Sequence, residues 1–168
     1  MRMARAATAA LLIVVALVLQ VSVFPHFAWA GVVPNLCLLV VVASALVRGP
    51  SFAATVGFGA GLLLDLAPPA DHVAGRWALA LVVVGYVAGR MRQDIRPTAP
   101  MVVATVAASS FVGTSVYALS GLLLRDPVVA VPDLLSVILV AIVWDVLLTP
   151  FVLPPVMKLF RRLEPQSV

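Results

Sequence analysis

Two carboxylates sit in or beside long apolar runs, Asp65 near the end of one and Asp145 well inside another. An acid in an apolar segment is costly to bury, so it marks a candidate proton relay or half of an aspartyl dyad. A dyad needs both groups at one depth. Asp145 follows Pro132 by 13 residues, about 20 Å along a helix at ~1.5 Å per residue, which places it deeper than Asp65. The YD and GxGD motifs of intramembrane aspartyl proteases are also absent. The expectation for Asp65 is a helix-end residue near lipid headgroups. For Asp145 it is a buried partner, either an arginine, Trp144 or a hydroxyl on another helix.

Other chemistry-bearing residues are sparse. His26 and His72 fall in predicted outer loops with only Asp71 nearby, which does not make a metal site. Cys37 is the single cysteine, so no internal disulfide and no cysteine-based metal cluster can form. There is no GxSxG elbow, P-loop, GxGxxG or CxxC, and Ser120-Gly121 reads as helix-packing material. Asp94 has only Glu164 for company, too few acids for the Mg²⁺ site of a lipid phosphotransferase. No enzyme, metal, cofactor or small-molecule substrate is therefore expected.

The elements holding these residues must themselves be apolar. The chain is 63% hydrophobic and 11% charged, against ~25% charged in ordinary soluble domains. With a mean hydropathy of +1.16, too little polar surface exists to face water, and lipid is the expected solvent. The apolar runs, punctuated by Pro, Gly and charge, predict an all-α integral membrane domain over 1–168 with spans at 6–24, 34–47, 51–66, 75–91, 100–124 and 132–157. The second and third are shorter than the ~20 residues a perpendicular span needs. Only Arg48-Gly49-Pro50 separates them, so they either thin the bilayer or form a tight hairpin inside the bundle. Pro150, Pro154 and Pro155 are expected to kink or end the sixth span.

Charge orients the chain. Arg2, Arg5, Arg48, Arg90, Arg92, Arg96, Lys158, Arg161 and Arg162 fall on one side; Arg76 and Arg125, with Asp71, Asp126 and Asp133, fall on the other. The positive-inside rule then puts both termini in the cytoplasm, with 158–168 as a basic tail lying on the anionic leaflet. The cations sit at segment ends and form no aromatic-interleaved stripe, which argues against nucleic acid despite the net charge of +4. Ala28-Trp29-Ala30 before Gly31 has the form of a signal-peptidase site, but the preceding apolar run exceeds the usual ~7–15 residues and favours an uncleaved first span.

Small residues recur at helical spacing. Gly57-x-x-x-Gly61, Gly85-x-x-x-Gly89 and Ser109-x-x-x-Gly113 allow close helix approach, either within the bundle or against a partner's helix.

The order of these features resembles the MreD family of bacterial rod-shape-determining membrane proteins. The resemblance is carried by Leu19-Gln20, by Val33-Pro34-Asn35-Leu36, and above all by the block from Gly57-Phe58 through Gly61 to Asp65-Leu66, which continues to Gly75-Arg76-Trp77-Ala78-Leu79 and Gly85-Tyr86. It implies a six-transmembrane-helix bundle similar to the S-components of energy-coupling-factor vitamin transporters. It also implies a role in cell-wall elongation, with MreC as main partner and a link between MreB filaments, RodA and a class B penicillin-binding protein that drives peptidoglycan synthesis and cell shape. Asp145 stands where the family pattern has a neutral polar residue, while Thr149-Pro150 keeps the proline. Ala/Val/Arg-rich usage looks actinobacterial-like, where such systems serve spore or aerial walls as well as rods. The candidates for partner contact or helix packing are Gly57, Phe58, Gly61, Asp65, Gly75, Gly85 and Gly89. The competing expectation is a vitamin-binding transporter subunit with a pocket built on Asp65, Arg76, Trp77 and Tyr117.

Overall fold

A computed structural model describes residues 2–68, 73–91, 98–124 and 134–162. Among them the apolar runs fold as α1 (Arg2–Ser22), α2 (Leu36–Arg48), α3 (Pro50–Leu66), α4 (Arg76–Arg90), α5 (Ala99–Leu123) and α6 (Leu134–Arg162), with one 3-10 turn at Phe24–Phe27. Asp71, His72, Arg92, Asp94, Arg96, Arg125, Asp126, Pro132, Asp133 and Glu164, on which the charge and motif readings drew, lie outside the described residues.

The organising element is α2. Its sequence is apolar on every side, and a helix of that kind is stable only where all of its faces are covered. Every residue from Leu36 to Val47 is buried, and α2 packs against each of the other five helices. This accounts for its length. At 13 residues it rises about 20 Å, too short to cross a bilayer core of ~30 Å alone, but it is walled by protein rather than lipid. The short second and third segments form a tight hairpin in which α2 is enclosed by the other helices, while α3 keeps one face exposed. Gly49 makes the turn at φ 84°, a left-handed value that strains any residue with a Cβ, and Pro50 then opens α3 with φ already set for a helix.

The surrounding helices are two-faced. α1 buries Ala9, Ile13, Ala16 and Gln20, and α3 buries Ala53, Val56, Gly57, Ala60, Gly61, Leu64 and Asp65, the i, i+3, i+4 stripe of a helix with one packed side. Their opposite faces are apolar too: Leu11, Val18, Phe58, Leu66, Leu79 and Phe151 are all exposed. Two helices, Ala99–Leu123 and Leu134–Arg162, are long and apolar enough to cross a membrane, and Ala6–Ser22, Leu36–Arg48 and Pro50–Leu66 are shorter apolar helices.

Of the two outcomes expected at Pro150, Pro154 and Pro155, a kink or an end, the sixth helix does not end there: it runs through all three to Arg162, so Lys158, Arg161 and Arg162 lie in its last helical turns. Each proline removes an intrahelical hydrogen bond, but Leu153, Val156, Met157 and Phe160 are buried on one side of this stretch, and Phe160 meets Phe52 of α3 edge-on at 6.0 Å. Packing holds the helix where its local chemistry would break it.

The tightest pairing is α3 on α4. A Cβ added at Gly57 would meet the Leu81 carbonyl, one at Gly61 the backbone of Trp77 and Ala78, one at Gly85 the backbone of Ala53, and one at Gly89 that of Pro50. The two small-residue motifs thus lie in succession along one seam, each against the backbone of the other helix, and let the two backbones touch. Gly59, between Gly57 and Gly61 in sequence, has nothing within 4 Å of its missing Cβ. Accordingly, Gly57→Ala or Gly61→Ala should destabilise the purified protein by about 1–3 kcal/mol through overpacking, whereas Gly59→Ala should be neutral or slightly stabilising. Thermal unfolding in detergent would measure this, and equal effects at Gly59 and Gly61 would contradict the interface.

Candidate functional site

A helix begins with backbone N–H groups that have no partner of their own, and where it begins inside a protein those groups need an acceptor. The first residues of α2 meet this need with a polar cluster drawn from four helices. Asn35 caps the helix locally, its Oδ1 accepting from Leu38 N at 2.9 Å. The Asn35 N–H itself donates to Asp145 Oδ1 of α6 at 2.8 Å. Cys37 N donates to Gln20 Oε1 of α1 at 3.3 Å. The second Asp145 oxygen accepts from the Ser110 hydroxyl of α5 at 2.7 Å, and Thr149 Oγ1 returns to the Asp145 carbonyl at 2.8 Å. Asp145 is 1% exposed, and Gln20, Asn35 and Ser110 are also buried. Of the three partners expected for Asp145, the structure supplies the hydroxyl. The Trp144 indole nitrogen, one of the alternatives, makes no hydrogen bond.

The other acid does the same for α4. Asp65, at the end of α3, accepts from Gly75 N (2.9 Å), Trp77 N (3.0 Å) and Ala78 N (3.1 Å). Gly75, at φ 99°, is the N-cap of α4 and has no side chain to cap with, so a residue of the preceding helix provides the cap. The carboxylate also lies at the positive end of the α4 dipole. Asp65 is the helix-end residue expected of it, next to last in α3, and at 2% exposed its carboxylate faces the backbone of α4.

Beside this cap lies an aromatic and cationic stack. Arg76 Nη2 donates to the Tyr117 carbonyl at 2.9 Å, and its guanidinium sits 3.9 Å from the centre of the Tyr117 ring. Trp77 stacks on the same ring at 4.2 Å and 23°. Asp65, Arg76, Trp77 and Tyr117 do come together, as a pocket-forming group would, but they bond to one another and to backbone, joining α3, α4 and α5. Among the described residues no three His, Cys, Asp or Glu converge as a metal site.

The remaining candidates are placed as follows. Gly57, Gly61, Gly85 and Gly89 lie in the α3–α4 seam, Gly75 opens α4, and Phe58 points outward from α3. His26 is exposed beside the Val23 carbonyl, far in role from either acid. Sequence reasoning missed Gln20, Asn35 and Ser110 as members of the site. The signal available was an amide or hydroxyl interrupting an apolar run, and at Asn35 the N-cap signature before the apolar stretch.

The basic residues are segregated. Gly89 packs on Pro50, Arg48 lies 5.1 Å from the Phe52 ring, and Phe52 meets Phe160, so Arg48, Arg90 and the cations of the last α6 turns share one end of the bundle. The N-termini of α2 and α4, with both acids, point the other way.

The sequence matches the family described as rod shape-determining protein MreD over residues 2–163. No curated protein and no solved structure matches the chain.

Because each acid carries several buried N–H or O–H donors, truncation should be costly. Asp145→Ala and Asp65→Ala are expected to lower stability by about 2–4 kcal/mol, and Ser110→Ala by about 1 kcal/mol. A double-mutant cycle for Asp145 and Ser110 in detergent unfolding should return positive coupling; strict additivity would contradict the bond.

Proposed function

The chain belongs to the MreD family of rod shape-determining membrane proteins, and we propose from that membership that it is a non-enzymatic scaffold of the cell-wall elongation machinery. In this reading it lies in the cytoplasmic membrane as a six-helix, multi-pass bundle with both termini cytoplasmic. It binds MreC and helps couple MreB filaments to RodA and a class B penicillin-binding protein. The observation that carries the reading is the family match, which extends over residues 2–163.

Two features of the bundle support it. Both acids among the described residues accept hydrogen bonds at the start of a helix, which fits an architectural role for them. Arg48, Arg90, Lys158, Arg161 and Arg162 gather at one end of the bundle, and Arg76 lies with Asp65 at the other, in keeping with the positive-inside rule. The partner helix would dock on an outward face, such as the exposed Phe58–Leu62–Leu66 stripe of α3, since the Gly57–Gly61 face is already covered by α4.

The test is genetic and biochemical together. Cells depleted of this protein should lose their normal shape and regain it on expression of the full chain, and MreC should co-purify with it in mild detergent. Phe58→Arg with Leu62→Arg should abolish co-purification at unchanged monodispersity. Normal morphology after depletion, with no MreC retained by the wild-type chain, would overturn the proposal.

A further inference from the structure

An open groove of about 1130 Å³ lies between the start of α5, at Ala99, Val102 and Val103, and the last half of α6. That exceeds the ~300–1,000 Å³ of a drug-sized pocket. Its body is hydrocarbon: Val102 and Val103 of α5 face Leu147, Leu153 and Met157 of α6. Pro150 and Pro154 also line it, and as neither has an N–H, this stretch of α6 presents rings and methylenes rather than donors. Thr149 also lines it, with its hydroxyl donated to the Asp145 carbonyl, and charge is confined to one end, where Lys158, Arg161 and Arg162 form the rim. Their spacing of i, i+3 and i+4 puts the three cations on one face of α6, and all three are exposed. None of the residues described as lining the groove is acidic.

A long apolar trough closed at one end by a cluster of cations matches an amphiphile with hydrocarbon chains and an anionic phosphate. We propose that this groove is a binding site for an anionic diacyl phospholipid, its acyl chains along α5 and α6 and its headgroup phosphate held by Lys158, Arg161 and Arg162. The proposal rests on the multi-pass membrane reading and adds a specific lipid contact to it. Simple attraction of a basic helix end to an anionic leaflet would need the cations alone. A site also needs the trough, and that separates the two.

The experiment reconstitutes the full chain in vesicles containing equimolar phosphatidylglycerol and phosphatidylcholine, then uses native mass spectrometry to count lipids retained after gentle detergent release. Retention of phosphatidylglycerol should exceed that of phosphatidylcholine by about tenfold or more, given a several-fold gain per cation. The combined Lys158→Gln, Arg161→Gln, Arg162→Gln variant should bring the ratio near one. Val103→Trp with Leu147→Trp, which fills the trough and leaves the charge intact, should also abolish retention while the thermal midpoint in phosphatidylcholine stays unchanged. Equal retention of the two lipids by the wild-type chain, or retention indifferent to the tryptophan pair, would overturn the groove. Displacement of phosphatidylglycerol by an equal amount of polyprenyl phosphate would overturn the diacyl assignment. A chain that never enters vesicles would overturn the membrane reading itself, an outcome distinct from both.

Discussion

The bundle depends on one constraint: α2 starts inside the protein, and the N–H groups at its start have no water to turn to. An unsatisfied backbone donor away from water costs several kcal/mol in an apolar medium, so this helix can exist only if acceptors are brought to it. Asn35 brings one from its own position, Gln20 one from α1 and Asp145 one from α6, with Ser110 of α5 donating to Asp145 from the other side. The four residues therefore tie together four helices at the level where the central one begins. Apolar packing around α2 is extensive but non-directional. The hydrogen bonds fix its height and rotation, and with them the places of the helices that wrap it.

The same device recurs at α4. There the helix opens on a glycine that cannot cap, and Asp65 reaches across from α3 to take three N–H groups. That reach requires α3 and α4 to lie close, and Gly57, Gly61, Gly85 and Gly89 make the approach possible. The family-like block from Gly57 to Ala78 is thereby explained as one unit: glycines bring two helices into contact, an acid at the end of the first caps the second, and Arg76 and Trp77 carry the contact on to Tyr117 of α5. Acids in an apolar segment invite a reading as catalytic or ion-coupling groups. In this protein both accept hydrogen bonds at helix starts.

Much of this was legible in the sequence, and the unread part has a common cause. Segment boundaries were set by Pro, Gly and charge, which act locally, so the edges at Arg48-Gly49-Pro50 and at Ala99 follow from the chain itself. A hydroxyl partner for Asp145 was among the expectations because a buried carboxyl must have one. The end of α3 at Asp65 is legible, but its capping of α4 is not, because the donors it accepts lie 10 to 13 residues ahead, beyond the reach of local pattern. Asn35 was seen only as part of a motif, since its bond to Asp145 spans 110 residues. The prolines of α6 were weighed by intrinsic preference alone, and the burial of Leu153 and Phe160 that outweighs them is a property of the assembled bundle.

The central claim is that buried side chains from other helices hold the start of α2. Hydrogen–deuterium exchange of the full chain in lipid nanodiscs, read at the amides of Asn35, Cys37 and Leu38, tests it most directly. The account predicts that these amides are strongly protected in the wild-type protein and lose most of that protection in Asp145→Ala, while amides near Arg48 at the far end of α2 stay protected. Fast exchange at Asn35–Leu38 in the wild type, or protection unaltered by Asp145→Ala, would contradict it.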